Sequence, residues 1–350
     1  MVRVGVLGMG FIGQQHFGVW QEVEGAQVVA VADKEAERIA REATAVGGNI
    51  GEAAMLDLSG VRRYTSLGAM LEAGGLDAVD LCLPTFVHPD LTGTAFAGGV
   101  HVICEKPLAL DVAGCDRMLA AAEQHGKMLF VAHCIRFWPE YEVLARMVKE
   151  GELGRLVSLK LTRLSPSPFW SQGGWLNDPG KSGGALLDLH IHDADFIMSV
   201  LGMPSAVFSR AGHLPPDGPR VDHVITHYLY DSVGQVGNLS PRDAVVVAEG
   251  GWAMPPSYPF EMAFEALGEK GCLRFSTART PALTFLPAQG EPSTPSCRAT
   301  TGYVQELEYF ARCIATSTPP QRVTGWEARE AVRLVLAERE SAETGTVVRL

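Results

Sequence analysis

Six consecutive residues, Gly8-Met9-Gly10-Phe11-Ile12-Gly13, carry the plainest chemistry in the sequence. They form a G-x-G-x-x-G between a strand-like run, Val2 to Leu7, and a helical pattern. Such a turn binds anions. Gly8 permits the tight turn, Gly10 lets the backbone approach a pyrophosphate with no Cβ in the way, and Gly13 lets helix and strand pack closely. Amides at the helix start, around Phe11 and Ile12, and the helix dipole favour the bound negative charge. Asp33 stands 20 residues beyond Gly13, where a carboxylate accepts hydrogen bonds from an adenosine ribose. Together these residues predict a dinucleotide site. A carboxylate at position 33 repels a ribose 2′-phosphate, which favours NAD over NADP. Lys34 and Arg38 could turn toward such a phosphate, so the sequence leaves NADP open.

A second constellation is Asp188-x-x-x-His192. A helix places residues i and i+4 on one face, where a carboxylate can orient an imidazole and stabilise its protonated form. The same spacing also suits a helix-face ion pair without chemistry. His190 and Asp195 nearby invite a metal reading, but residues i and i+2 point to nearly opposite sides of a helix. No metal is expected, and His190 is read as a packed, hydrogen-bonded histidine.

The elements that must position these residues follow two rhythms. Through residue 130, strand-like runs near 2–7, 27–32, 77–83, 100–104 and 128–132 alternate with helical stretches, which predicts a doubly wound parallel sheet. Lys106 comes directly after the run at 100–104, at the strand end where such folds bind ligands. Beyond residue 150, strand-like runs at 156–164, 221–230, 244–253, 259–267 and 271–275 follow one another, with a helical stretch at 184–201. That pattern predicts a large, mainly antiparallel sheet. The expected fold is therefore α/β: a Rossmann domain over 1–130, then an α+β substrate-binding and oligomerisation domain over 131–350. Helical patterns return at 303–316 and 326–343, and the final helix is expected to reach back to the first domain. The polar, Pro-rich stretch 287–300 reads as a mobile surface loop.

Composition excludes several classes. The 350 residues carry a net charge of −11, the wrong sign for a broad nucleic-acid or anionic-lipid face. No run of about 18 to 20 apolar residues could span a membrane. The seven cysteines lack any C-x-x-C pair, which suits reduced thiols without disulfides. The N-terminus has no signal-peptide pattern, and a cytoplasmic location is expected.

At Cys104-Glu105-Lys106-Pro107-Leu108-Ala109-Leu110 the sequence resembles the Gfo/Idh/MocA family of nicotinamide-dependent oxidoreductases, whose hallmark is E-K-P at this place. The resemblance continues through Val131-Ala132-His133-Cys134-Ile135-Arg136-Phe137-Trp138-Pro139 and Trp175-Leu176-Asn177-Asp178-Pro179 to Gly183-Gly184-Ala185-Leu186-Leu187-Asp188-Leu189-His190-Ile191-His192. It implies that Lys106, Asp188 and His192 face one cleft beside the nicotinamide. His192 then leads as general acid/base with Asp188 as its partner. Lys106 binds the substrate oxygen and relays the proton, with the formal base open between Lys106 and His192. Glu105 orients Lys106 or the cofactor. Pro84, Thr85 and His88 lie over the nicotinamide ribose and pyrophosphate, Arg136 and Trp175 approach the substrate, and the bond before Pro107 is cis. Where the family often has Asn, this chain has Cys134, read as a buried small hydrophobe. Phe169, Trp170 and Trp175 lie in a Pro/Gly-rich stretch that could form a substrate lid.

The resemblance implies hydride transfer between NAD(H) and a hydroxyl or carbonyl of a sugar, cyclitol or related polyol. Two alternatives stand beside it: an NAD-dependent glycosidase working by transient oxidation, and a non-enzymatic nucleotide sensor. It also implies a homodimer or homotetramer.

Overall fold

The computed structural model describes residues 1–40, 42–43, 46–48, 56–168, 171–214, 221–231 and 243–350. Its first sheet has six parallel strands in the order Arg62–Tyr64, Ala26–Ala32, Val2–Leu7, Ala78–Leu81, His101–Glu105, Leu129–Ala132. Ala78–Leu81 and Leu129–Ala132 are buried at every residue, as strands covered on both faces must be. The helices Phe11–Trp20, Leu67–Glu72, His88–Ala97 and Val112–His125 link these strands. The first and third expected strands, Val2–Leu7 and Ala78–Leu81, sit side by side, so the ligand crevice opens at the switch in strand order, above the carboxyl ends.

The second sheet has eight strands, in the order Leu283–Pro287, Gly271–Ser276, Glu261–Gly268, Leu156–Pro166, Val245–Met254, His223–Leu229, Ala206–Gly212, Val348–Arg349. Its pairings are antiparallel except between Leu156–Pro166 and Val245–Met254. Burial alternates along His223–Leu229, because one face packs on helices while the other is open. Ile225, Leu229, Val245 and Leu267 are exposed. The stretch 287–300 is largely exposed coil, pinned by a bridge between Phe285 and Ser293.

Two late helices tie the layers together. Gly302–Ala315 packs against Phe11–Trp20 and Val2–Leu7. Gly325–Thr344 touches Val112–His125 on one side and Ile191–Leu201 and Ala206–Gly212 on the other. A single buried cluster consequently runs through both sheets. The seven cysteines are free thiols. Among the described residues no helix is long and apolar enough to cross a membrane.

Candidate active site

A cleft of about 860 Å³ runs from the glycine-rich turn to the second sheet. Each glycine of the turn has a separate steric reason. Gly8 has φ +91°, and a Cβ there would stand 2.4 Å from the Cys82 carbonyl. A Cβ on Gly13 would meet the Gly8 carbonyl at 1.7 Å, so Gly13 packs the helix on the strand and does not line the cleft. Among the described residues Arg38 Nη1, at 3.5 Å, is the nearest group a Cβ on Gly10 would meet. The helix Phe11–Trp20 begins there without a side-chain cap, and the start of a helix favours a bound anion.

Asp33 is nearly fully buried yet lines the cleft. Its Oδ2 accepts from the Met9 amide at 2.7 Å and its Oδ1 from the Glu35 amide at 2.9 Å. Arg38 Nη1 stands 3.6 Å from the same carboxylate. Lys34 lies at the mouth with its side chain largely exposed. Gly8, Gly10, Phe11, Ile12, Asp33, Lys34, Pro84, Glu105 and Lys106 all line this cleft, so the turn, the uncapped helix and the carboxylate fit an adenine dinucleotide.

Two expected cofactor contacts lie elsewhere. Thr85 and His88 are buried outside the cleft wall, which Phe86 and Val87 line instead. The His88 ring nitrogens lie 3.0 Å from the Pro107 carbonyl and 2.8 Å from the Leu83 carbonyl. His88 thus ties the loop after Ala78–Leu81 to the turn that carries Lys106. The Lys106–Pro107 bond is cis.

At the centre of the cleft, Lys106 Nζ donates to the Asp188 carbonyl at 2.8 Å and lies 3.4 Å from Asp188 Oδ1. Burial raises the Asp188 pKa, opposed by Lys106. His192 lines the same cleft. Burial, with Lys106, Arg163 and His133 adding repulsion, holds its pKa well below the usual histidine value. It is therefore a neutral imidazole, with Nδ1 buried and unpartnered. The expected Asp188–His192 bond is not formed. Leu186–His190 is a π-helical turn that gives way to the α-helix Ile191–Leu201, and the wider turn takes positions i and i+4 out of line. Asp188 reaches Lys106 instead.

Arg136 also departs from expectation. Its guanidinium grips Asp195 at 2.8 and 2.6 Å and Glu327 at 3.0 Å, away from the cleft wall. Arg163, and not Arg136, lines the cleft, paired with Asp193 through two 2.9 Å bonds. It occupies an inward position of Leu156–Pro166, in step with Leu159 and Leu161. A charged residue in an otherwise apolar alternation was the signal for it. Trp175 lines the cleft, joined by Trp252, Phe260, Met262 and Tyr303, which sequence reasoning missed. Phe169 and Trp170 lie outside the described residues. His190 is wholly buried, 3.0 Å from Glu338 Oε2 and 3.3 Å from the Tyr228 hydroxyl. Burial pushes the Cys134 thiol up, so it stays protonated.

A dinucleotide turn opening onto a lysine, a carboxylate and a neutral imidazole, under the face of a second sheet, defines a two-domain oxidoreductase. The chain belongs to the Gfo/Idh/MocA family: residues 2–133 match its oxidoreductase domain with NAD-binding Rossmann fold, and residues 141–274 its C-terminal domain. Its cofactor is NAD. The myo-inositol 2-dehydrogenase of Thermotoga maritima is 25% identical, with 100% of this chain and 98% of that protein aligned. The scyllo-inositol 2-dehydrogenase (NAD(+)) of Bacillus subtilis is 27% identical over 100% and 96%. The aldose-aldose oxidoreductase of Caulobacter crescentus, crystallised with glycerol, has the same fold: TM-score 0.81, 20% identity, 100% and 99% covered.

Proposed function

We propose that this protein is an NAD-dependent dehydrogenase that oxidises a secondary hydroxyl of a cyclitol or sugar, or reduces the matching carbonyl. The observation that carries this reading is the convergence of Lys106, Asp188 and the neutral His192 in the cleft entered from the glycine-rich turn. The inositol dehydrogenases aligned along the whole chain support the substrate class.

Bound NAD supplies the hydride acceptor, and the protein supplies orientation and proton transfer. Lys106 donates to the substrate oxygen and stabilises the negative charge that develops there. Asp188 holds the ammonium in place through its carbonyl and carboxylate. His192, uncharged at neutral pH, takes the hydroxyl proton. Trp175 and Trp252 offer apolar ring faces to the carbon skeleton.

The test is NADH formation across a panel of inositols, aldoses, polyols and chromogenic glycosides, with Lys106→Ala as control. NADH formed from one compound and lost in the variant is the expected result. Glycoside cleavage without NADH, or equal rates in the variant, overturns the reading.

A further inference from the structure

Behind the cleft lies a buried chain of polar groups that the reaction as described does not use. His16, on the inner face of Phe11–Trp20, has no exposed surface. Its Nδ1 is 2.9 Å from Asp80 Oδ2, and its Nε2 makes an ion-pair contact of 3.1 Å with Glu105 Oε1. Asp80 is held in turn: Oδ2 accepts from the Trp20 indole at 2.8 Å and Oδ1 from the Cys82 thiol at 3.5 Å. At the other end, Glu105 Oε2 accepts from the Lys106 backbone amide at 3.0 Å. One imidazole thus links two carboxylates on neighbouring strands, and the second carboxylate grips the backbone of the cleft lysine.

His16, Asp80 and Cys82 are close enough to suggest a metal site, but the spacing is that of hydrogen bonds. Two ligands of one tetrahedral zinc at about 2.0 Å stand roughly 3.3 Å apart, whereas Nδ1 and Oδ2 are 2.9 Å apart and Oδ2 already accepts from Trp20.

Charge explains the arrangement. The groups facing His16 are Asp80 and Cys82 from one strand and the loop after it, Glu105 from the next, and Tyr303 and Glu306 from Gly302–Ala315. Burial alone would discharge His16, but Cys82 and Asp80 outweigh burial and raise its pKa well above the usual value. Burial pushes the Cys82 thiol up to about 12; Asp80 is the carboxylate that hydrogen-bonds the ring, 2.9 Å from Nδ1, and Glu105 adds the 3.1 Å ion-pair contact at Nε2. Burial also raises Glu306 well above the usual carboxylate range, so it adds no charge. An imidazolium between two carboxylates leaves one net negative charge, beside the Lys106 backbone amide that donates to Glu105. With a neutral imidazole the two carboxylates would stand uncompensated in the interior.

We propose that His16 is a positioning residue for the reaction: by bridging Asp80 and Glu105 it fixes the carboxylate that holds the Lys106 backbone, and so aims the ammonium at the reacting hydroxyl. This rests on the role given to Lys106 above.

The test compares His16→Gln, Glu105→Gln and the double variant, using NAD-saturated enzyme and a polyol that the wild type oxidises. Each single variant is expected to lose about 10- to 100-fold in kcat. Substrate KM and the NADH dissociation constant should stay within about threefold, and the double variant should fall no further than about threefold below the worse single, because both break one chain. Fully multiplicative losses, or a His16→Gln kcat within about threefold of wild type, overturn the proposal. A second measurement needs no substrate: ¹⁵N NMR of histidine-labelled protein at pH 8. Both His16 ring nitrogens should carry protons in the wild type, and Glu105→Gln should lower the pH at which one is lost. A neutral His16 at pH 8, or a titration indifferent to Glu105→Gln, overturns the proposal. If no polyol is oxidised by the wild type, the functional reading fails, while the NMR result still decides whether the His16 bridge exists.

Discussion

Asp33 should set the choice between NAD and NADP, by an amount the geometry bounds. Its carboxylate is buried at the cleft wall and held by two backbone amides, so it cannot swing away from a ribose 2′-substituent. A phosphate charge about 4 Å from it is repelled by about 4 kcal/mol at an effective dielectric constant of about 20. Arg38, 3.6 Å from the same carboxylate, pulls the other way. If Arg38 cancels half, about 2 kcal/mol remains, a roughly 30-fold preference for NAD+ over NADP+. Asp33→Asn keeps the shape and an acceptor for the Met9 amide but removes the charge. The preference should then shrink to about threefold or less, while NAD+ itself binds about tenfold more weakly for loss of a charge-assisted hydrogen bond. Calorimetric titration of both nucleotides into both proteins reads this directly. A wild type that binds NADP+ as tightly as NAD+, or an Asn variant that keeps the full preference, would refute the assignment of selectivity to this charge.

Further predictions concern the site and the open sheet. His192 titrates below the usual histidine value, so the stability tied to it is complete above about pH 6.5 and is lost as pH falls toward its folded pKa. From pH 7 to pH 5, the melting temperature of His192→Gln should therefore fall less than that of wild type, read by calorimetry. Gly13→Ala drives a Cβ to 1.7 Å from the Gly8 carbonyl and should cost more than about 3 kcal/mol. Among the described residues Gly10→Ala meets only Arg38; it should melt near wild type yet bind NAD+ at least about tenfold more weakly. Equal stability in the two variants would contradict these separate roles. The exposed apolar side chains Ile225, Leu229, Val245 and Leu267 on the second sheet suit contact with a second copy. Sedimentation should show a dimer or tetramer for wild type and a shift toward monomer for Ile225→Glu; a wild-type monomer at all concentrations contradicts this.

The first sheet was legible because its strands are buried on both faces and read as unbroken apolar runs, as in Ala78–Leu81. Arg62–Tyr64 was not, because a three-residue edge strand of Arg-Arg-Tyr carries no such run. In the second sheet the five expected strands are present, while Ala206–Gly212, Leu283–Pro287 and Val348–Arg349 escaped notice. The last is two residues long and exists only through its pairing with Ala206–Gly212. Lys106, Asp188 and His192 share the cleft as the motifs implied, but their connections depended on the π-turn at Leu186–His190, which ordinary helical spacing does not announce. Arg136 was misplaced because its partners, Asp195 and Glu327, lie far from it in sequence. No local pattern distinguishes a guanidinium that braces helices from one that meets a ligand.

The late helices also govern how this architecture can be recombined. Phe310 of Gly302–Ala315 stacks on Phe130, a residue of the first sheet, with ring centres 5.0 Å apart. Gly325–Thr344 lies against Val112–His125 of the same layer. A chimaera joined at one point near residue 133 would pair a foreign nucleotide-binding half with helices evolved for another surface. Exchange between relatives therefore requires further junctions so that Gly302–Ala315 travels with the first sheet, while Gly325–Thr344, which touches both layers, meets a foreign surface on one side wherever the junction falls.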